Sequence, residues 1–393
     1  MEYKKYLLSE ICDYKTGRLN SNAAVDNGKY KFFTCAPKPL TIDSYSYDDN
    51  VILLAGNNAN GIFHINRFNG KFDAYQRTYI IKPKADVIDI DYLYYFLKFK
   101  LNFLQSQSIG SATKYLTKPI LDNLEVYCPE KKMKQKAISS ILKFLDKKLE
   151  LNKKIIANLE ELSQTLFKRW FVDFEFPDEN GNPYKSNGGE MIDSELGMVP
   201  KGWNFEKLKL LIENIKDNIR TKSLSQEDRY VPIDLIPKRK LTFYDYKSSN
   251  EAKSSLIKFK KNDILLGSMR VYFHRVSLAP FDGITRNTVF TLRPRDERYL
   301  YYLLNAINKD DFIQYAANNS KGSTMPYAVW DGILDEVTVL NPPLQYLIEF
   351  NSIVQKYFDI SIILLKQNRQ LEDLRDTLLP KLMSGELEIP DDI

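Results

Sequence analysis

Residues 341–344 read Asn-Pro-Pro-Leu, the stretch of this chain that comes nearest to a known piece of chemistry. An Asn amide followed by two prolines and an aromatic ring can hold the amino group of an adenine. The amide and a proline carbonyl bind that group while the ring stacks on a base turned out of its helix. Here Leu344 stands where the ring would be, so the stacking half is missing. Methyl transfer from S-adenosylmethionine also needs a strand running into a Gly-rich turn, with an acidic residue on the next strand. No such turn precedes residue 341: "AGNNANG" (55–61) runs on into Ile-Phe-His rather than a helix. There is no GxxxxGK[ST] phosphate loop either, so ATP use is not expected of this chain.

Other reactive residue types are sparse. His64 and His274 are the two histidines, and no CxxC or HxxxH pair exists, so a protein-built zinc site is not expected. They fall at roughly matching places in the two halves of the chain, where packing or a phosphate contact is a better reading than proton shuttling. Cys12, Cys35 and Cys128 are odd in number and far apart, which implies no disulfide framework. The net charge of +5 permits nucleic-acid binding without demanding it. No apolar run approaches the ~20 residues of a membrane span. The N-terminus lacks the apolar core of a signal peptide, so a cytoplasmic location is expected.

The elements that carry these residues are written twice. "DNVILLAG" (49–56), "KFDAYQRTYIIKP" (71–83), "DYLYYFLK" (91–98), "IGSAT" (109–113), "LDNLEVYCP" (121–129) and "LEELSQTLFKRW" (159–170) recur in the same order. Their partners are "KNDILLGS" (261–268), "PFDGITRNTVFTLRP" (280–294), "RYLYYLLN" (298–305), "KGSTM" (321–325), "LDEVTVLNP" (334–342) and "LEDLRDTLLPKL" (371–382), at offsets of 207 to 213 residues. Val51–Leu54 and Ile264–Leu266 read as buried strands, and 91–104 and 298–307 as amphipathic helices. Asn341 stands where the first half has Cys128, and Pro342 where it has Pro129, which makes Asn-Pro-Pro a mark between strand and helix.

Residues 132–170 contain neither Gly nor Pro, and apolar side chains recur at steps of three and four, a coiled-coil-like period. Asn152 interrupts the stripe, either as a register-setting polar residue or as a tolerated edge position. A second long helix is expected over about 344–379, with Asn368 as its interruption and with Pro380 and Gly385 ending it. Each stripe finds its simplest partner in the other, packed antiparallel. The expected fold is α+β: two related domains of mixed strands and helices, separated by an antiparallel two-helix coiled-coil rod, with a pseudo-twofold internal repeat. The boundaries fall at 1–130, 131–172 (first helix), 173–203 (a turn-rich linker), 204–342, 343–384 (second helix) and 385–393 (tail).

The run "LFKRWFVDFEFPDENGNPYKSNGGEMIDSELGMVPKGW" (166–203) closely resembles the central region of specificity subunits of type I restriction–modification systems, and the resemblance extends over the whole chain. It implies two target-recognition domains, each followed by a long conserved-region helix, in a protein that is not itself catalytic. Such a subunit reads a split sequence in double-stranded DNA and recruits two methyltransferase (modification) subunits. The resemblance places S-adenosylmethionine, ATP and Mg in partner subunits, restriction and translocase subunits among them, and no cofactor in this chain. Two other readings stay open. Binding of S-adenosylmethionine by the purified chain would favour a stand-alone adenine methyltransferase. Absence of salt-sensitive binding to duplex DNA would favour a protein-binding adaptor.

Heads that read DNA need basic and amide side chains on loops, some for phosphates and a few for base edges. In the first head Asn57, Asn58, Asn60, Lys71, Gln76, Arg77, Ser111, Thr113 and Lys114 qualify. In the second, Lys222, Arg229, Ser268, Arg270, Arg275, Arg286, Asn287, Lys321, Ser323 and Thr324 do. Arg77 and Arg286 lead, because each follows a Phe-Asp turn. Trp170, Phe171 and Phe174 are candidates for docking a methyltransferase subunit, since Trp and Phe are common interface anchors. A helical rod would act as a ruler: four residues, about 6 Å of helix, correspond to roughly two base pairs of unread spacer.

Overall fold

A computed structural model describes residues 2–58, 61–84, 86–111, 113–194, 197–253 and 255–390. The chain divides into two units. Unit 1 is Met1–Leu149 with Gln370–Ile393, and unit 2 is Glu150–Arg369. Each long helix, Lys132–Phe171 and Leu344–Ser384, therefore supplies residues to both. No helix among the described residues is long and apolar enough to cross a membrane.

The core of unit 1 is a six-stranded sheet in the order Cys12–Thr16, Thr78–Pro83, Tyr47–Ala55, Ile65–Ala74, Tyr30–Phe33, Leu40–Ile42. Val51–Ala55 is apolar at every position because this central strand is covered on both faces. Strand alternation sends Ile52 and Leu54 toward the helix Ile90–Phe99 and its Tyr92 and Phe96, and sends Val51 and Leu53 toward Phe33 and Phe72. That helix starts where Asp89 caps it, accepting from the backbone N–H of Asp91 at 3.1 Å and of Tyr92 at 3.0 Å. At the turn between Ile65–Ala74 and Thr78–Pro83 the Tyr75 N–H donates to the Phe33 carbonyl at 2.9 Å, and Thr78 Oγ1 donates to the same carbonyl at 3.3 Å.

Both chain ends build unit 1. Strand Tyr3–Leu7 pairs antiparallel with Glu125–Pro129, Tyr3 Oη donates to the Leu382 carbonyl at 3.1 Å, and Lys134 Nζ donates to that of Ile389 at 2.8 Å. Leu382, Met383 and Ile389 are buried with Ile138 and Leu142. This packing explains one departure from the sequence expectation. The second long helix runs through Pro380 to Ser384, because the apolar side chains on either side of the proline are held in a core. Gly385, at φ +80°, ends it.

Unit 2 repeats the frame. Strand Asn204–Lys207 pairs with Thr338–Asn341, and a four-stranded sheet runs Ile212–Asn214, Val289–Pro294, Ile264–Gly267, Val276–Leu278. A five-stranded sheet is added: Asn218–Ile219, Leu256–Phe259, Gly283–Arg286, Arg229–Tyr230, Lys247–Ser248. The short helices Leu8–Ile11 and Leu208–Leu211 match at an offset of 200, so the repeat starts earlier than the recurring blocks. Four strands of the added sheet lie in the stretch 212–260, over which the offset grows, while Gly283–Arg286 belongs to the recurring block 280–294.

Within unit 2 the two long helices run antiparallel, Asn152 meeting Gln367 and Asn368 while Trp170 meets Phe350. Asn152 is fully buried, and its Nδ2 donates to Gln367 Oε1 at 2.8 Å and to Asn368 Oδ1 at 2.9 Å. Two buried amides that meet each other only in this alignment act as a register device, which decides between the two readings of Asn152. The stretch read as a linker is packed, not loose. Phe176 is fully buried, with its ring 4.6 Å from that of Tyr184, 4.8 Å from Trp203 and 4.3 Å from Tyr346.

Candidate nucleic-acid interface

Each unit presents a closed Gly-Ser loop, and the two loops close in the same way. In unit 1 the Ile109 N–H donates to the Tyr115 carbonyl at 3.1 Å and the Tyr115 N–H to that of Ile109 at 2.9 Å. In unit 2 Lys321 and Tyr327 exchange the same two bonds, both at 2.9 Å. The second residue of each loop must turn left-handed, and it is glycine: Gly110 at φ +106° and Gly322 at φ +88°. A serine follows in both, Ser111 and Ser323, and both are exposed.

Behind each loop stands the end of the central strand. The Leu116 N–H donates to the Gly56 carbonyl at 2.8 Å, and the Ala328 N–H to that of Ser268 at 2.9 Å. The Gly56 N–H in turn donates to the Arg77 carbonyl at 2.7 Å, and the Ser268 N–H to that of Thr288 at 2.9 Å. The ladders agree, Ala55 facing Thr78 and Gly267 facing Val289. These matches set an equivalence that differs from the one read off the Phe-Asp turns. Arg77 corresponds to Thr288, Gln76 to Asn287 and Asn58 to Arg270, while Arg286 lies two residues before the counterpart of Arg77.

In unit 1 the frame gathers Asn57, Asn58, Arg77, Ser111, Thr113 and Lys114. Asn57 faces Tyr115 and Asn58 faces Lys114 across a short antiparallel pair, and the Arg77 guanidinium lies over the Tyr115 ring, 5.7 Å from its centroid. Cys35 Sγ donates to Asn57 Oδ1 at 2.8 Å, fixing that amide. Gln76 is exposed and donates to Asn20 Oδ1 at 2.8 Å. Lys71 stands apart, its ammonium 4.7 Å from the Tyr45 ring centroid, and the hydrogen bond to the Tyr45 hydroxyl raises its pKa. Asn60 lies outside the described residues.

In unit 2 the same frame gathers Arg270, Lys321, Ser323 and Thr324, with Met269 bridged to Tyr327 and the Arg270 N–H donating to the Pro326 carbonyl at 2.7 Å. Arg286 borders a cleft of about 320 Å³ beside Met269, Thr288 and Lys247, and Asn287 is exposed next to it. Three candidates have other work, and a fourth lies apart from the loop. Ser268 is buried, its Oγ donating to the Thr288 carbonyl at 2.8 Å, so it holds the frame and is not offered to a ligand. Arg275 braces a turn, its Nη1 donating to the carbonyls of Asp234 at 3.2 Å and of Ile236. Arg229 lies over the rings of Phe281 and Tyr246, at 4.8 and 5.2 Å. Among the described residues no contact joins Lys222, exposed on the turn Thr221–Ser223, to the loop.

The aromatic docking candidates are also reassigned. Trp170 and Phe171 are buried against Phe350, and Phe174 stands edge-on to Trp203 at 5.7 Å. A helix end that meets a domain core spends its aromatics on that core. His274 is buried with Nε2 2.9 Å from Asn308 Oδ1, a packing role, and the ladder puts Arg275 rather than His274 opposite His64. Asn341 Oδ1 accepts from the Tyr299 hydroxyl at 2.7 Å, so the amide that opened the adenine question is already bonded. Sequence reasoning passed over the loop-closing Tyr115 and Tyr327, although both end their loops at the repeat offset of 212.

Neither Arg77 nor Arg270 has a carboxylate within ion-pair distance among the described residues, whereas Arg67, Arg293 and Arg375 are all paired. An unpaired, exposed guanidinium in a fixed loop is disposed to accept an anionic or acceptor-rich ligand. Among the described residues no cluster of His, Cys, Asp and Glu could hold a metal ion.

Residues 1–161 match the family model described as type I restriction modification DNA specificity domain. The type I restriction enzyme EcoDI specificity subunit of Escherichia coli is 27% identical over 412 residues, covering 98% of this chain and 89% of that protein. The MjaIX specificity subunit of Methanocaldococcus jannaschii is 30% identical over 331 residues, covering 79% of this chain and 71% of that protein. The solved S subunit of a type I restriction-modification system from M. genitalium shares the fold, with a TM-score of 0.67 at 16% identity over 97% of this chain and 96% of that one.

Proposed function

Since the chain belongs to the family of type I restriction–modification specificity subunits, we propose that each unit reads one half of an asymmetric two-part DNA target. One observation carries this reading. The same Gly-Ser frame occurs once in each unit, closed by the same backbone bonds, yet it is bordered by different side chains. A shared frame with different polar groups at its rim is what two readers of different sequences require. Lysines such as Lys114 and Lys321 suit the phosphates, while amides and guanidinium groups suit base edges.

The subunit assembles with other subunits and binds DNA, and the finer assignment is a pair of methyltransferase subunits docked on the long helices, which also set the unread spacing. Support comes from apolar side chains left exposed on those helices. Within unit 2, Leu151 and Leu162 stand 11 residues apart on one face of the first, and Ile360 and Ile363 are exposed on the second. These replace Trp170, Phe171 and Phe174 as the docking candidates. Methyl transfer with S-adenosylmethionine, and ATP- and Mg-dependent translocation by restriction subunits, belong in this reading to partner chains in the cytoplasm. Adenine methylation mapped by single-molecule sequencing, in cells with and without this chain, tests the proposal. The expected result is loss of one two-part methylation motif; an unchanged methylome would overturn it.

A further inference from the structure

We propose that Arg77 and Arg270 are the guanine-reading residues of their units, and that they approach equivalent Gly-Ser loops from opposite sides. The two half-sites would then carry their G·C pair at different places relative to the loop. The inference rests on the DNA-reading function proposed above and adds to it the base and the residue in each half.

The frames set the comparison. Arg77 ends the turn before strand Thr78–Pro83, and its counterpart in unit 2 is Thr288. Arg270 follows the central strand of unit 2, and its counterpart in unit 1 is Asn58. Each loop therefore has one arginine beside its closing tyrosine, and the two arginines come from different flanks. Neither is tied up in an ion pair among the described residues, and both are exposed.

Arg77 is held through its guanidinium and Arg270 through its backbone, which separates them from the lysines nearby. The Arg77 guanidinium lies over the Tyr115 ring, and Tyr115 is itself locked by its two bonds to Ile109. Arg270 adopts φ 47° and ψ 55°, a left-handed conformation that is uncommon for a side chain of this kind. Its N–H donates to the Pro326 carbonyl at 2.7 Å, and its carbonyl accepts from the Phe273 N–H at 2.8 Å. A guanidinium fork presented from a fixed backbone matches the O6 and N7 acceptors of guanine in the major groove. Phosphate contact makes no such demand, and flexible lysines satisfy it.

The test is selection of bound sequences from a pool of randomised duplexes by the full chain together with its methyltransferase subunits, at one fixed salt concentration. The wild-type chain must first select a two-part motif; failure at that step would overturn the underlying function. Arg77→Gln is then expected to relax one G·C position, in one half-site only, by roughly tenfold to a hundredfold in base preference. Arg270→Gly, which keeps the left-handed backbone, is expected to do the same in the other half-site. The untouched half serves in each case as the control for folding. The double variant Arg77→Thr with Asn58→Arg, which gives unit 1 the arrangement of unit 2, is expected to move the G·C pair within its own half-site. A motif whose base preferences survive these variants, with binding weakened evenly on all sequences, would make the arginines phosphate clamps and overturn the proposal. Relaxation of both variants in the same half-site, or a G·C pair that stays put in the double variant, would overturn it too.

Discussion

The loop 109–115 of unit 1 and the loop 321–327 of unit 2 close identically but are supported differently. A Cβ at Gly110 would come within 2.1 Å of the Thr113 carbonyl oxygen, whereas one at Gly322 would stand 3.2 Å from that of Met325. Unit 1 flanks its loop with a short strand pair, Asn57–Asn58 on Lys114–Tyr115. Unit 2 flanks its loop with a corner whose two ends, Arg270 and His274, are both left-handed. Backbone closure is thus the common frame, and the support behind it is where the units diverge. Two carboxylates on the first long helix, Asp146 half-buried and Glu160 buried, diverge in the same way. In unit 1 Asp146 accepts from Tyr95 at 3.0 Å, Lys98 at 3.2 Å and Arg375 at 3.1 Å. In unit 2 Glu160 Oε1 accepts from the N–H of Leu241 at 3.0 Å, the N–H of Thr242 at 2.9 Å and the Thr242 hydroxyl at 2.6 Å.

Glu160→Ala should break this comparison most strongly. It leaves two backbone donors and a hydroxyl without their acceptor, a loss of about 3–5 kcal/mol from unit 2. All three tryptophans, Trp170, Trp203 and Trp330, lie in unit 2, so their fluorescence during denaturation reports on that unit. The midpoint should fall for Glu160→Ala and hold for Asp146→Asn; equal shifts would mean that the two carboxylates are not local supports. Gly110→Ala comes next, at about 2–3 kcal/mol, against about 1 kcal/mol for Gly322→Ala. Amide exchange at Tyr115 and Tyr327 measures each loop separately, and similar acceleration in both would show that the tighter contact in unit 1 has no energetic consequence.

Acid should separate the units further. Burial alone would raise the Asp146 pKa, but Lys98 and Arg375 outweigh it and hold the carboxyl below its usual range. Its contribution to stability is present above the ordinary Asp range and is lost as pH falls through the depressed value. Burial raises Glu160 despite the bonds from Thr242 and Lys240, so its contribution is fully present below the ordinary Glu range and fades as pH rises through the raised value. As pH falls below the ordinary Asp range, amide protection relative to the intrinsic exchange rate should therefore be lost around Tyr95 before it is around Thr242. The smallest effect belongs to Asn152→Leu with Asn368→Leu, expected within about 1 kcal/mol of wild type in stability. Its cost should be a broader thermal transition, as the helices lose the pairing that selects one alignment; an equally sharp transition would count against the register role.

Much of the architecture was legible in the sequence because it rests on long periodic signals. The helix read over 132–170 forms over Lys132–Phe171, since its apolar period repeats many times and each repeat reinforces the same face. The strand cores Val51–Leu54 and Ile264–Leu266 lie inside Tyr47–Ala55 and Ile264–Gly267 for a similar reason. Short-range signals did less well. Pro380 reads as a stop, yet Leu382 and Met383 hold the helix beyond it through contacts far away in sequence. The turn-rich run from Pro177 to Gly189 reads as a linker because its aromatic anchors, Phe176, Tyr184 and Trp203, are widely spaced. Among site residues, the side-chain types near the Gly-Ser loops could be chosen from sequence, but their occupation could not. Nothing local says that Ser268 is buried, or that Arg286 precedes the counterpart of Arg77 by two residues. Those facts are set by the ladder between Ile264–Gly267 and Val289–Pro294.

Unit 1 takes its residues from both ends of the chain, and this has a consequence in time. A ribosome delivers residues 1–149 before unit 2, but the side chains of Leu382, Met383 and Ile389 that complete their core come after it. Unit 2 is continuous, so all of its residues are available while unit 1 still waits for the tail. Unit 1 is therefore begun before unit 2 and finished after it, and a chain that stopped short of Leu382 would lose one wall of the unit 1 core.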